Sequence, residues 1–412
     1  MVILILGGGY AGIHTAKVLE KKLKNRRNIR IQLIDKNPYH TLMTQLHEVA
    51  GYRVKPHAVR IPYDSIFKND SVQVIQDEVK EFDFVNRVLI SGNNKYNYDY
   101  LVIATGSRPD FFGVEGVEKY GYKMWSYKEA VTVRSMIYDQ FSEASKTSSS
   151  AQRGDRLRFV IAGGGFTGVE LAGELGFWKK SLCREFDIDY GVVEIYLIEA
   201  MTDILNTFPP GLRKKSKSYL KKLGVEVVTN CAISKVDGNK IFLGSGQTLN
   251  GTLIWTAGIK GNPYIKNADI NYDEKRHWIN VNEYTQSASH ENVFCVGDSL
   301  LYVYKGRPVP KIIETCIQSG DLAAKNIIRL IDGKRMKVFE PKYHGSMVSI
   351  GPIYGVAKIG AIRFKWLFAT LIKHLANLHY LHGIGGIKLD LDYINNQFID
   401  LFLRFFKKKE DL

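Results

Sequence analysis

Two glycine-rich turns, each placed directly after a short apolar run, constrain this chain more than any other feature. Gly7-Gly8-Gly9-Tyr10-Ala11-Gly12 follows Val2-Ile3-Leu4-Ile5-Leu6, and Gly163-Gly164-Gly165-Phe166-Thr167-Gly168 follows Phe159-Val160-Ile161-Ala162. Both fit GxGxxG and both run into helix-forming sequence. A second apolar run ending in an acid follows each: Ile31-Gln32-Leu33-Ile34-Asp35 and Ile195-Tyr196-Leu197-Ile198-Glu199. The glycines let the backbone turn tightly and approach a pyrophosphate lying on the helix N-terminus, and the acid accepts hydrogen bonds from a ribose hydroxyl. One such loop is weak evidence; two, each with strand, helix and terminal acid, predict that the chain binds two dinucleotides and moves electrons between them.

A chain of 412 residues can hold two or three domains with sizeable cores. The opening residues already read as the first strand, so no cleaved leader is expected. Cys183, Cys231, Cys295 and Cys316 are too few and too scattered for a disulfide framework and show no metal-ligand spacing, which points to a reducing compartment and no metal. The formal charge of +15 suits an anionic surface. No nucleic-acid-binding motif competes for that charge, and the C-terminal segment gives it a place to act.

Ser142 to Ser150 reads as a polar loop before the second phosphate-binding unit. A buried strand is expected at Asn292-Val293-Phe294-Cys295-Val296-Gly297-Asp298, and a helix from Ile312 to Leu330. From Arg363 to Leu378 the chain carries Trp366, Leu367, Phe368, Leu371, Ile372, Leu375 and Leu378, with Lys365, Lys373 and His374 interspersed. After a glycine-rich break at Gly383 to Gly386, a final helix is expected with Ile394, Phe398, Leu401, Phe402 and Phe405 at helical spacing, ending in Lys407-Lys408-Lys409. Neither stretch has the ~20 uninterrupted apolar residues of a spanning helix. Both read as amphipathic helices lying in a bilayer interface.

The chain resembles the two-dinucleotide flavoproteins of the pyridine nucleotide-disulfide oxidoreductase superfamily and, within them, the type II NADH dehydrogenases. The matching pieces are the first phosphate loop, Ala104-Thr105-Gly106 and Val296-Gly297-Asp298. Narrower matches are Asn37-Pro38-Tyr39-His40, Leu46-His47-Glu48-Val49-Ala50-Gly51 and Gly345 to Gly351, followed by aromatic helices. The resemblance implies an α/β fold with two Rossmann-like domains: residues 1–115 and 257–340 for FAD, and 116–256 for NADH. Residues 341–412 would form a C-terminal membrane-docking region. The redox cysteine pair of the superfamily's disulfide reductases is absent after Asp35, so electrons should leave the flavin directly for a diffusible acceptor.

The implied activity is a non-proton-pumping, respiratory NADH:quinone oxidoreductase on the cytoplasmic face of the cell membrane, possessing non-covalent FAD and forming a homodimer. Gly7, Gly9, Tyr10, Ala11, Gly12, Asp35, Lys36, Ala104, Thr105, Gly106, Gly297 and Asp298 would hold FAD. Gly163, Gly165, Thr167, Gly168, Glu199, Ala257 and Gly258 would hold NADH, with Glu199 disfavouring a 2′-phosphate. Glu170 is expected near nicotinamide and flavin, and Lys311 beneath the flavin. Glu314 and Gln318, one turn apart, would face the quinone, although the family's helix carries Gln where Glu314 stands. Glu174 reads as structural, and His40 and His47 as weaker candidates. The rival readings are a soluble NADH oxidase or reductase using O₂ or a protein acceptor, and a non-enzymatic redox sensor.

Overall fold

The computed structural model describes residues 1–68, 71–92 and 94–399. The apolar, β-branched runs pair into two five-stranded parallel sheets, as expected of strands buried on both faces. In the first, Val2–Leu6 is central, flanked by Arg30–Asp35 and Gln73–Gln76 on one side and by Tyr100–Ile103 and Val293–Cys295 on the other. In the second, Arg158–Ala162 is central, flanked by Glu194–Ile198 and Val225–Val228 and by Thr252–Trp255 and Tyr122–Lys123. The strand order is the same up to the last position. There the first sheet takes its edge strand from far downstream, whereas the second takes a strand that precedes its own centre. The first sheet therefore closes only when the chain returns at Val293.

That return delivers the long helix Ile313–Ile331, which packs on the first phosphate helix, Tyr10–Leu23. The approach is close because Gly320 has no side chain: a Cβ there would lie 2.6 Å from the Ala11 carbonyl oxygen and 2.8 Å from Thr15 Oγ1. A third unit follows. Gly345–Ser349, Gly355–Ile359 and Ile362–Lys365 form an antiparallel sheet, and the helices Leu367–Gly385 and Ile387–Ile394 come after it.

Two expectations need correction. Ser142 to Lys146 is not loop: it is the last part of the helix Tyr127–Lys146, and only Thr147 to Ser149 separate it from the helix Ser150–Arg156. Its polar sequence misled because the helix is held elsewhere, by a Ser126–Glu129 capping box at its start and by Val133, Ile137, Phe141 and Ala144 on its buried stripe. The stretch from Arg363 to Leu378 is likewise not one interfacial helix. It begins as the sheet's edge strand, turns at Trp366 with φ of +63°, and is helical from Leu367 through the expected glycine break to Gly385. Leu401, Phe402, Phe405, Lys407, Lys408, Lys409 and the side chain of Phe398 lie outside the described residues. Among the described residues no helix is long and apolar enough to cross a membrane.

Candidate functional site

The two phosphate loops share one geometry. Gly7 and Gly163 take φ of +107° and +106°, which only glycine adopts cheaply. Their amides donate to Ile34 O and Ile198 O at 2.8 Å. The next amides, of Gly8 and Gly164, donate to the terminal acids: Asp35 Oδ2 and Glu199 Oε2, each at 2.6 Å. The second oxygen of each acid takes a further amide, from Asn37 and from Met201 at 2.7 Å. Cβ atoms at Gly12 and Gly168 would overlap the carbonyl oxygens of Gly7 and Gly163, so these glycines let helix and strand close up. Gly9 and Gly165 are exposed and face open space. The loops are thus tight on the protein side and open where a pyrophosphate would lie, which is the fit a dinucleotide requires.

Both central sheets end on the same side in a second matched pair. Ala104-Thr105-Gly106 follows Tyr100–Ile103, Ala257-Gly258 follows Thr252–Trp255, and Gly106 and Gly258 take φ of +68° and +67°. The two exits then run side by side, Arg108–Pro109 pairing antiparallel with Ile259–Lys260. Gly297-Asp298 arrives beside them: the Gly106 amide donates to Ser299 Oγ at 2.9 Å and Ser107 Oγ to Asp298 Oδ2 at 2.8 Å. Lys311 lies just before the helix Ile313–Ile331, donating to the Leu300 carbonyl with its ammonium 4.5 Å from the Trp278 ring. Burial lowers its pKa to about 8, against the raising effect of Asp298. Tyr10 packs against Tyr380 with ring centroids 4.6 Å apart and the planes tilted by 41°, and His40 bridges the Gly8 carbonyl (2.9 Å) and the Tyr380 hydroxyl (3.0 Å). Desolvation lowers the His40 pKa to about 4, which favours the neutral ring in these two contacts.

The feature that sequence reading missed is a buried charge cluster where all three units meet. Glu170 and Glu174 project from the second phosphate helix, Phe166–Glu185, one turn apart. His47 and Glu48 come from the helix Leu46–Ala50, with Arg53 just beyond it. Ser349 comes from the C-terminal sheet and Lys373 from the helix Leu367–Gly385. Lys373 Nζ is 2.7 Å from Glu170 Oε1, 2.8 Å from Ser349 Oγ and 3.1 Å from His47 Nε2. The Ser349 amide also donates to Glu170, at 3.2 Å. Arg53 Nη2 lies 2.7 Å from Glu48 and 2.9 Å from Glu174. Lys373 is 6% exposed, so its place among the bilayer-facing cations was wrong. Its sequence neighbours at helical spacing settle the matter: Phe368, Leu371 and Leu375 are exposed, while Ala369, Thr370 and Lys373 lie on the opposite, buried face. The sequence signal was that periodicity, together with two glutamates one turn apart on a helix otherwise entering the core.

Glu314 and Gln318 do share one face, and both are spent on the segment leading into the C-terminal sheet. Gln318 forms a paired contact with the Lys342 main chain, at 2.6 Å to its carbonyl and 2.9 Å from its amide. Glu314 accepts from the His344 ring at 2.8 Å. Cys183, Cys231 and Cys295 are buried and Cys316 half-buried, its thiol 3.7 Å from Asp298; all four are free.

This fold and site define a two-dinucleotide oxidoreductase, and a family model described as pyridine nucleotide-disulphide oxidoreductase matches residues 1–320. Curated relatives from Staphylococcus aureus, named type II NADH:quinone oxidoreductase, are 30% identical over 399 residues, spanning 94% of this chain and 96% of theirs. The solved structure of NDH2 from Plasmodium falciparum in complex with NADH is similar with a TM-score of 0.85 at 18% identity, over 96% of this chain and 98% of that one. The sulfide:quinone oxidoreductase of Aquifex aeolicus follows the same fold with a TM-score of 0.75 at 18% identity, over 98% of this chain and 95% of that one. The chain belongs to the pyridine nucleotide-disulphide oxidoreductase family and, within it, to the type II NADH:quinone oxidoreductases. Its two nucleotides are FAD and NADH.

Proposed function

We propose that this chain oxidises NADH and passes two electrons to a lipid-soluble quinone, docked on an anionic membrane at the cytoplasmic face. The single observation that carries the reading is the junction of three units. The exits of the two nucleotide-binding sheets run side by side, and the C-terminal unit reaches the helix of the second nucleotide loop with Lys373, 2.7 Å from Glu170. FAD, when bound, supplies both the hydride acceptor and the electron donor to quinone. Residues Gly7, Gly9, Tyr10, Ala11, Gly12, Asp35 and Lys36 hold its nucleotide half. Ala104, Thr105, Gly106, Gly297, Asp298 and Lys311 lie along its approach to the second domain. Gly163, Gly165, Thr167, Gly168, Glu199, Ala257 and Gly258 serve NADH. Glu170 and Lys373 form the proton-handling pair at the acceptor: a buried lysine and carboxylate 2.7 Å apart can hold a proton at either atom. Glu314 and Gln318 serve the acceptor indirectly, by fixing the Lys342–His344 segment that leads into the C-terminal unit.

The membrane part of the reading rests on an apolar ridge. Trp366 at the turn and Leu367, Phe368, Leu371 and Leu375 on the helix after it are exposed, and so are Ile387, Leu391 and Ile394 on the next helix. A patch of this kind marks an interaction surface. The basic helix Pro210–Lys222 sets Lys215 beside Lys365, one residue from the ridge. Each such cation near an anionic leaflet adds about 1 kcal/mol. The decisive experiment mixes the purified protein with NADH without oxygen, then adds a short-chain quinone. The flavin should bleach and then recover; bleaching without recovery removes the quinone from the reading. Phe368→Glu with Leu371→Glu should abolish co-flotation with anionic liposomes while leaving the bleaching rate as it was. A double variant that still floats would place the docking surface elsewhere.

Nucleotide choice is set by Glu199. With one oxygen on Gly164 N and the other on Met201 N, it is fixed at the strand end where a ribose hydroxyl would reach it. Glu199→Ala should raise the Michaelis constant for NADH by about ten- to a hundredfold, the worth of one charge-assisted hydrogen bond of roughly 1.5–3 kcal/mol. Relative use of NADPH should improve. An unchanged ratio of the two constants would remove Glu199 from the ribose.

A further inference from the structure

The buried cluster holds an uneven set of charges. Three carboxylates, Glu48, Glu170 and Glu174, face two cations, Arg53 and Lys373, all of them largely out of water. His47 does not balance the set. Its Nε2 takes a hydrogen bond from Lys373, and desolvation first, then Lys373 and Arg53, hold its pKa well below the ordinary value. Further polar neighbours among the described residues include His374 and Tyr393 from the C-terminal helices, and the His374 pKa is lowered to about 4 chiefly by burial. With every carboxyl ionised the described residues of the cluster would carry one uncompensated negative charge in a dry interior, which is costly.

The three carboxyls are not equivalent. Glu48 accepts from the Gln45 and Gln397 amides at 3.0 and 2.9 Å besides its contact with Arg53. Glu170 has the Lys373 ammonium and the Ser349 amide. Among the described residues Glu174 has a share of Arg53 Nη2 and no amide donor, and Glu174 Oε1, 2.9 Å from Arg53 Nη2, is buried without an aligned hydrogen bond, as is Glu48 Oε1. Gly51 packs over its stem, where a Cβ would lie 2.3 Å from Glu174 Cβ. We propose that Glu174 is the carboxyl that stays protonated at neutral pH, and that its proton resupplies the Glu170–Lys373 pair during quinol formation. This deepens the reading above and rests on it. The overall reaction, NADH + quinone + H⁺ → NAD⁺ + quinol, needs one proton more than NADH brings. The Glu174 O–H bond breaks and the proton reaches Glu170. Glu170 lies one turn from Glu174 on the same helix, and His47, its Nδ1 3.4 Å from Glu170, holds that acceptor in place while Arg53 keeps its own protons throughout. From Glu170 the proton passes to the quinol oxygen, and Glu174 is refilled from solvent between turnovers. Burial, with Glu48 nearby, raises the Glu174 pKa to about 7 despite Arg53, so it can both hold and release the proton near neutrality.

The test is infrared titration of the holoenzyme together with a pH profile. Wild-type protein should show a D₂O-sensitive C=O band of a protonated, buried carboxyl that fades as pH rises through about 7. Glu174→Gln, which keeps the shape and the neutral charge, should lose that band while retaining FAD and its visible spectrum. Flavin recovery on quinone should slow by roughly a hundredfold, the scale of a lost proton donor, and should lose its inflection near neutral pH. A wild type without the band, or a Glu174→Gln protein that keeps it, overturns the assignment. Glu170→Gln separates the two levels of inference. If it leaves flavin recovery untouched, the acceptor reading itself fails. If it slows recovery while the band persists in Glu174→Gln, only the proton store fails.

Discussion

Lys373→Met should be the most damaging single change outside the nucleotide loops. It removes the ammonium and leaves Glu170, 7% exposed, facing a thioether. Breaking one side of a buried ion pair costs about 3–5 kcal/mol, because the surviving charge has neither partner nor water. Glu170 already has a pKa raised by burial and opposed by Lys373, and removing the lysine should move it further up. Two measurements follow. Thermal unfolding of Lys373→Met should occur well below wild type, and the double variant Glu170→Gln with Lys373→Met should recover most of the loss, since both charges are then gone. The quinone half-reaction should fall by about 10²–10⁴ in both variants, the span of a lost acid–base group, because stability is restored but proton handling is not. Equal melting temperatures for the single and double variants would show that the pair contributes nothing as a pair.

The pH dependence of this pair has a definite sign. A carboxyl whose folded pKa is raised binds more protons folded than unfolded, so its contribution to stability is greatest at low pH. It declines as pH climbs from the unfolded value through the folded one. Glu174, raised to about 7, and Glu170, also raised, therefore favour the fold toward mild acid. Glu48 works the other way: burial raises its pKa, but Arg53, Lys373 and His374 outweigh it and the net shift is downward.

The nucleotide loops were legible because their chemistry is local. Strand, turn, helix and acid occur within about 35 residues, and each glycine answers to a neighbour in the same unit. Asp35 and Gly8, or Glu199 and Gly164, meet through one short crossover. The charge cluster was illegible for the opposite reason. Glu170 meets Lys373 across 203 positions of sequence, and His47 meets Ser349 across 302. Neither contact can be inferred from spacing, and a lysine beside exposed leucines reads as a surface cation until a partner is known. Glu174 reads as structural from its sequence neighbours, and its contact with Arg53, which Glu48 shares, cannot be seen from spacing. The Ser142–Ser150 stretch failed for a third reason: local polarity describes the exposed face of a helix as readily as a loop.

The two loops should also be separable by a single methyl group. In Gly12→Ala the new Cβ overlaps the Gly7 carbonyl oxygen, and in Gly168→Ala it overlaps the Gly163 carbonyl oxygen, with Thr256 Oγ1 also 2.8 Å away. Both obstacles are backbone, so neither can rotate aside. Helix and strand must separate, which moves the loop amides and costs on the order of 1–3 kcal/mol or more, as overpacking of a tight core does. The consequences differ because the loops serve different nucleotides. Gly12→Ala should purify colourless or nearly so, having lost FAD, and should regain little colour when FAD is added. Gly168→Ala should stay yellow, since the first sheet, Asp35 and Asp298 are untouched, yet its flavin should bleach with NADH at least a hundredfold more slowly, about the 2.7 kcal/mol that two decades of rate represent. Dithionite should still bleach it at once, and quinone should still restore the colour. A yellow Gly12→Ala protein, or a colourless Gly168→Ala protein that folds normally, would exchange the assignments of the two domains.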